Sequence, residues 1–143
     1  MRAYWRAWSE YNEKMGSVIV IDFEEGEVLI ELELDDGSKA RHFDDLDNIH
    51  LMQSTGIKDK KGVEIYEGDI VKWSRLCMDF NLENYEERSD NFVVEWDVYN
   101  TGFVLGDGEV FLYKDISTEL EVIGNIYDNR DLIQGDAIDG RNE

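Results

Sequence analysis

Glycine-bearing turns recur at short intervals along this chain, and that punctuation constrains its fold more than any other feature. The turns are Glu24-Glu25-Gly26, Asp35-Asp36-Gly37, Lys60-Lys61-Gly62, Tyr99-Asn100-Thr101-Gly102 and Gly106-Asp107-Gly108. Between them lie short runs rich in Val, Ile, Phe, Tyr and Trp. Proline is absent, so Gly, Asn and Asp make all the turns. Short apolar runs at even spacing, bounded by glycine turns, predict an all-β sandwich or barrel.

The clearest strand is Glu27 to Leu34. Val28, Ile30, Leu32 and Leu34 fall on one face, and Glu27, Glu31 and Glu33 on the other. That period of two marks a half-buried strand. Val18 to Phe23 reads as its partner across Glu24-Glu25-Gly26, and a third strand is expected near Lys39 to Phe43. At the N-terminus, Tyr4, Trp8, Tyr11 and Met15 have helical spacing, while Tyr4 and Ala7-Trp8 suit a strand equally well. Asp44 to Asn48 suits a helical turn or a loop. From Ile57 onward a small hairpin around Lys58 to Gly62 leads through Gly68-Asp69 into a strand at Ile70 to Trp73. Phe92 to Val98, Phe103 to Leu105, Val110 to Tyr113 and Leu120 to Ile126 follow as strands. Their count and spacing suit an SH3-like barrel. Met78 to Asn91 is polar without a period and reads as a long exposed loop, the kind of segment that often carries function. A disordered tail is expected from Gln134.

Charge narrows the possible partners. The 143 residues carry 34 Asp and Glu against 14 Lys and Arg, a formal net charge of −20. Such a surface repels phosphate backbones and anionic lipid, so direct nucleic-acid or membrane binding is not expected. A basic patch on another protein is the complementary surface. Hydrophobic residues still make up 42% of the chain, enough for a core despite the charge. The single cysteine, Cys77, cannot build a disulfide or a zinc cluster within the chain. The opening residues lack the apolar run of a secretory signal, and no stretch is long enough to span a bilayer. A cytoplasmic protein is the expectation.

Few residues suggest chemistry. His42 and His50 lack the spacing of a metal motif. Asp44, Asp45 and Asp47 lack the central glycine of a calcium loop. Cys77 reads as a small semi-buried hydrophobe. No nucleophile elbow, phosphate loop or dinucleotide fingerprint occurs. Catalytic, metal and cofactor residues are therefore all expected to be none. Interaction candidates are more numerous. Lys58, Lys60 and Lys61 make a positive island able to meet an acidic patch of a second copy, a head-to-tail contact. Phe80, Leu82 and Tyr85 put apolar side chains among acids in the expected loop, as a flap or a contact site. Trp73, Trp96, Tyr99 and Phe103 could line a groove, although strand alternation sends about half of such residues inward.

Two runs, LMQSTGIKDKKGVEIYEGDIVKW and ELEVIGNIYDN, resemble the YopX family of phage and prophage proteins. Arg6-Ala7-Trp8 and Lys14-Met15 resemble that family's opening. The stretch from Ser74 to Glu119 matches poorly, and Asn129-Arg130 stands where the family has Asn-Pro. The resemblance implies a small N-terminal β lobe at 1–56, with Tyr4 to Trp8 as a strand. It implies an SH3-like β-barrel at 57–130 and an acidic tail at 131–143. Gly62, Tyr66, Gly68, Asp69 and Gly124 fall in the matching runs and read as architectural. Asp69 in particular is placed to accept backbone N–H groups at the turn. The resemblance implies a phage or prophage origin and self-assembly, in a family of unassigned molecular function; with the acidic surface and the loop aromatics, the expectation is a non-enzymatic protein that associates with itself and binds a host or phage protein. The alternative is an acidic decoy that occupies a nucleic-acid-binding site on a host protein.

Overall fold

A computed structural model describes residues 5–78, 80–106, 108 and 110–133. The elements in chain order are β1 (Trp5–Ser9), β2 (Lys14–Asp22), β3 (Glu27–Glu33), β4 (Lys39–Asp45), a 3-10 turn (Leu46–Asn48), β5 (Ile49–Lys58) and β6 (Glu64–Tyr66). They continue with β7 (Asp69–Met78), β8 (Tyr85–Asp97), β9 (Gly102–Leu105), β10 (Val110–Phe111), α1 (Lys114–Ser117) and β11 (Leu120–Asn125). The protein is mostly β, and its strands form two antiparallel sheets. Contacts divide the chain into two compact units, Met1–Ser54 and Thr55–Glu143.

In the first unit the strand order is β4-β3-β2-β1-β5. The alternation of β3 sets its register. Val28, Ile30 and Leu32 point to the buried face and pack with Ala7 and Ile49. Leu34 departs from the sequence expectation. Strand β3 ends at Glu33, and Leu34 is 41% exposed because its N–H turns to the Ser38 carbonyl at 2.7 Å. Strand β1 covers Trp5–Ser9, where the resemblance implies a strand from Tyr4 to Trp8; Tyr4 lies outside the described residues. The open choice at Asp44 to Asn48 resolves into the end of β4 and the 3-10 turn, which Asp45 caps by accepting the Asp47 N–H. Gly16 on β2 faces Ala7 on β1. A Cβ there would lie 2.7 Å from Leu32 Cδ2 and 2.9 Å from the Glu31 carbonyl oxygen. Gly16→Ala should therefore cost about 1–2 kcal/mol, read as a lower urea midpoint with an unchanged slope.

Strand β5 continues past Ser54 into the second unit, where it pairs with β6. The Thr55 hydroxyl donates to the Ile65 carbonyl at 2.7 Å. The second sheet has the order β10-β9-β8-β7-β11, with β10 and β11 as its edges. Its core joins Ile65, Val71, Val94, Leu105, Leu112, Ile116 and Leu120, flanked by Trp73 and Phe92.

The segment from Met78 to Asn91 is not a long loop. Strand β7 runs to Met78 and β8 starts at Tyr85, with a register that pairs Ser74 with Ser89 and Met78 with Tyr85. The strand signal was hidden because neither face of this ribbon is buried, so no apolar alternation had to form. The tail needs a similar adjustment. Residues 131–133 form a helical turn in which the Leu132 N–H reaches the Asn129 carbonyl at 2.9 Å. The stretch from Gln134, expected to be disordered, lies outside the described residues. No helix among the described residues is long and apolar enough to cross a membrane.

Candidate functional site

Two constructions in the second unit hold the candidate residues. The first is a bracket around the Lys58 to Gly62 turn. Gly62 adopts φ 83°, the left-handed conformation that a hairpin tip needs. The residue that organises this turn is Asp59, which the sequence reading passed over. Its side chain is buried among backbone donors. Oδ1 accepts the N–H groups of Lys61 (2.8 Å) and Val63 (2.9 Å), and Oδ2 accepts that of Val122 on β11 (2.9 Å). Burial pushes the carboxyl pKa up, but the three N–H donors and the nearby Lys61 charge outweigh it and hold the group below 3.8. A detectable signal existed, since Asp three residues before Gly is an Asx-turn pattern. The surrounding lysines drew attention away from it.

The lysine island takes a different form from the one expected. Lys61 Nζ lies 2.8 Å from Glu121 Oε2, and Lys60 Nζ lies 3.9 Å from Oε1 of the same residue. The hydrogen bond from Lys61, reinforced by its charge, lowers the Glu121 pKa and raises that of Lys61. Only Lys58, exposed at the end of β5, stands outside this set. Asp69 does what its position implies. It is 1% exposed, and Oδ2 accepts the Tyr66 N–H at 2.7 Å. Gly68, at φ 88°, donates to the Val94 carbonyl and accepts from the Ile126 N–H. Gly124 lies against the Asn129 side chain, whose Oδ1 accepts the Asn125 N–H at 3.1 Å. Each of these contacts lies in or beside a turn.

The second construction is an arm. Strand β11 pairs with β7 only as far as Trp73, and β9 pairs with β8 from Val94 onward. Beyond those limits Ser74–Met78 and Tyr85–Ser89 pair with each other alone. Directly opposed residues share a face, so the arm has two different sides. One side continues the core face of Val71 and Trp73, and it is polar. There Arg75 stacks 4.3 Å over the Trp73 ring and donates to Asp90 at 3.0 Å. Cys77 is on this side, half-buried and free. The other side carries Leu76, Met78 and Tyr85, which are 70%, 43% and 66% exposed. At the tip, Phe80 and Leu82 are also fully or largely exposed. The apolar register thus switches faces along β7, inward at Val71 and Trp73 and outward at Leu76 and Met78.

Leu82 adds strain to exposure. Its φ is 60°, a conformation that Gly or Asn adopts at much lower cost. The arm brings together Phe80, Leu82 and Tyr85 from the sequence reading, and adds Leu76 and Met78, which that reading missed. The proposed aromatic groove does not assemble as one site. Trp73 pairs with Phe92 at 6.1 Å, Trp96 with Phe103 at 5.0 Å, and Tyr99 is 94% exposed in the following turn. His50 contacts Glu10 at 2.6 Å, and His42 contacts Asn12 at 3.1 Å. Among the described residues no group of three or more His, Cys, Asp or Glu side chains is placed to hold a metal ion.

The profile of a family described as "YopX protein" matches residues 4–134. No curated protein matches the chain. Among solved structures, the crystal structure of protein EF1440 from Enterococcus faecalis is similar, with 22% identity and a TM-score of 0.63. The match covers 91% of this chain and 96% of that one. At that identity the likeness concerns the fold alone.

Proposed function

The chain belongs to the YopX family, and we propose that it works by binding another protein through the β7–β8 arm rather than by catalysis. The observation that carries this reading is the outward apolar face at Leu76, Met78 and Tyr85, together with Phe80 and Leu82 at the tip. A two-stranded ribbon is marginal in water on its own, and one that exposes apolar side chains is costlier still. Selection for stability alone would place polar residues at those positions. Leu82 at φ 60° supports the same reading, because backbone strain clusters where a residue is kept for what it contacts. For the rest of the second unit we retain the SH3-like barrel as the finer reading. Its five-strand order around one apolar cluster supports that description. A phage or prophage origin and action inside the bacterial cytoplasm belong to the same proposal.

The test is a capture experiment with matched baits. Wild type and Phe80→Ser plus Leu82→Ser are tagged and passed through bacterial lysate at near-physiological salt. Both residues are solvent-exposed, so the variant should melt with the wild type. A partner held by wild type should fall at least tenfold in the variant. Equal recovery by both baits would remove the arm from the function.

A further inference from the structure

We propose that the partner of the arm is an extended protein segment in which apolar side chains alternate with Lys or Arg, and not a second copy of this chain. This inference rests on the reading of the arm as a binding element. It adds the chemistry of what is bound.

The argument comes from charge on and around the apolar face. Glu87 lies directly opposite Leu76 and so shares a face with Leu76, Met78 and Tyr85. It is exposed, and no cation among the described residues lies within ion-pair distance of it. The two arginines of the arm are already engaged. Arg75 holds Asp90 at 3.0 Å, and Arg88 lies 4.0 Å from Glu86 on its own strand. The apolar face is thus accompanied by a carboxylate that the arm itself leaves without a counter-charge. The chain as a whole carries −20. Against a second copy, two strongly acidic chains would be brought together, which is repulsive. Against a segment bearing Lys or Arg among its apolar residues, Glu87 gains a partner while Leu76, Met78 and Tyr85 lose water. The arm also offers unpaired backbone along Ser74–Met78 beyond β11, so an extended segment of the partner can add as a strand there.

The experiment uses the full chain and three synthetic ten-residue peptides, alternating Leu-Lys, Leu-Glu and Ser-Lys, titrated calorimetrically at 150 mM salt. The Leu-Lys peptide should bind at least tenfold more tightly than either of the others. Leu76→Ser plus Tyr85→Ser leaves the net charge unchanged and should weaken Leu-Lys binding at least tenfold. Glu87→Gln changes an exposed residue, so it preserves folding even if the double variant does not, and it should weaken Leu-Lys binding several-fold. Equal Leu-Lys binding to wild type and both variants would overturn the inference, since binding would then follow overall charge alone. Leu-Glu binding as tight as Leu-Lys would overturn it as well. A concentration-dependent dimer of wild type, lost in the double variant without Leu-Lys binding, would replace the cationic partner by a second copy and leave the arm a binding element. Failure of every peptide would overturn the inference, and if no arm-dependent partner came from lysate either, the reading of the arm as a binding element would fall with it.

Discussion

Asp59→Ala is expected to lower the unfolding midpoint of the second unit by roughly 15 °C, corresponding to about 3 kcal/mol. Three backbone N–H groups, of Lys61, Val63 and Val122, point at one carboxylate that is 6% exposed. Alanine takes the shared acceptor from all three donors at once and empties the place of a buried, ionised side chain, and the loss of several charge-assisted bonds together is what makes the effect large. The same carboxylate ties the turn after β5 to β11, so its removal weakens the link between two segments more than sixty residues apart in sequence, leaving the Lys60 N–H bond to the Leu120 carbonyl and the Lys61–Glu121 pair. The effect should depend on pH in a definite direction. In the folded chain the Asp59 pKa is held below 3.8, so folding favours the charged form. Its contribution is complete above the unfolded value of about 3.9 and is lost as pH falls through the lower folded value. The gap in midpoint between wild type and Asp59→Ala should therefore be widest near neutral pH and narrow on acidification below about pH 4. Thermal melts of both proteins by circular dichroism at pH 7 and pH 3 check this. A gap that stays constant would assign the loss to packing instead.

Gly124→Ala should be the next most damaging change, at about 2 kcal/mol. Strand β11 slips register between Val122 and Gly124, and the chain then closes through Asn125 to Asn129. A Cβ at Gly124 would stand 2.6 Å from Asn129 Cγ and 2.8 Å from Asn129 Cβ. Asn129 Cβ is fixed to the backbone, so only a turn about χ1 could carry the rest of the side chain away. Moving Asn129 would also break its bond from the Asn125 N–H, in a turn where Asn125 Oδ1 accepts the Tyr127 and Asp128 N–H groups at 2.9 Å each. Removing the obstructing side chain supplies the control. Gly124→Ala combined with Asn129→Gly should lose less stability than the two single changes added together, because the clash of the first change is absent once the Asn129 side chain is gone. Strict additivity in urea unfolding would show that the close approach is not the cause.

The parts of the fold legible in the sequence were those where one face is buried. Strand β3 could be read residue by residue because Val28, Ile30 and Leu32 must meet the core while Glu31 must not. The hairpin tips at Gly26 and Gly62 were legible because their backbone conformation favours glycine. Asp69 was legible through its place after Gly68, whose turn calls for a side-chain acceptor. The arm was not. Its polar side follows the core register of β7, its apolar side faces solvent, and the two mixtures cancel any period of two. Leu76 and Met78 gave no signal as a pair until the pairing with Glu87 and Tyr85 put them on one face. Asp59 was obscured by its neighbours, since Lys58, Lys60 and Lys61 suggested a positive patch. Lys60 and Lys61 turn to Glu121, and the carboxylate inside the turn does the organising.

The most direct test of the arm as a binding element is amide hydrogen exchange across β7 and β8, in the free protein and in complex with the captured partner. The arm should exchange faster than Ile70, Val71 and Val94 when free, since its ladder has no covering layer and opens locally. On binding, amides of 74–78 and 85–89 should slow at least tenfold while those of β3 stay unchanged. Arm amides that exchange at the same rate free and bound, with new protection elsewhere, would contradict the account and move the binding surface to the segment that slows.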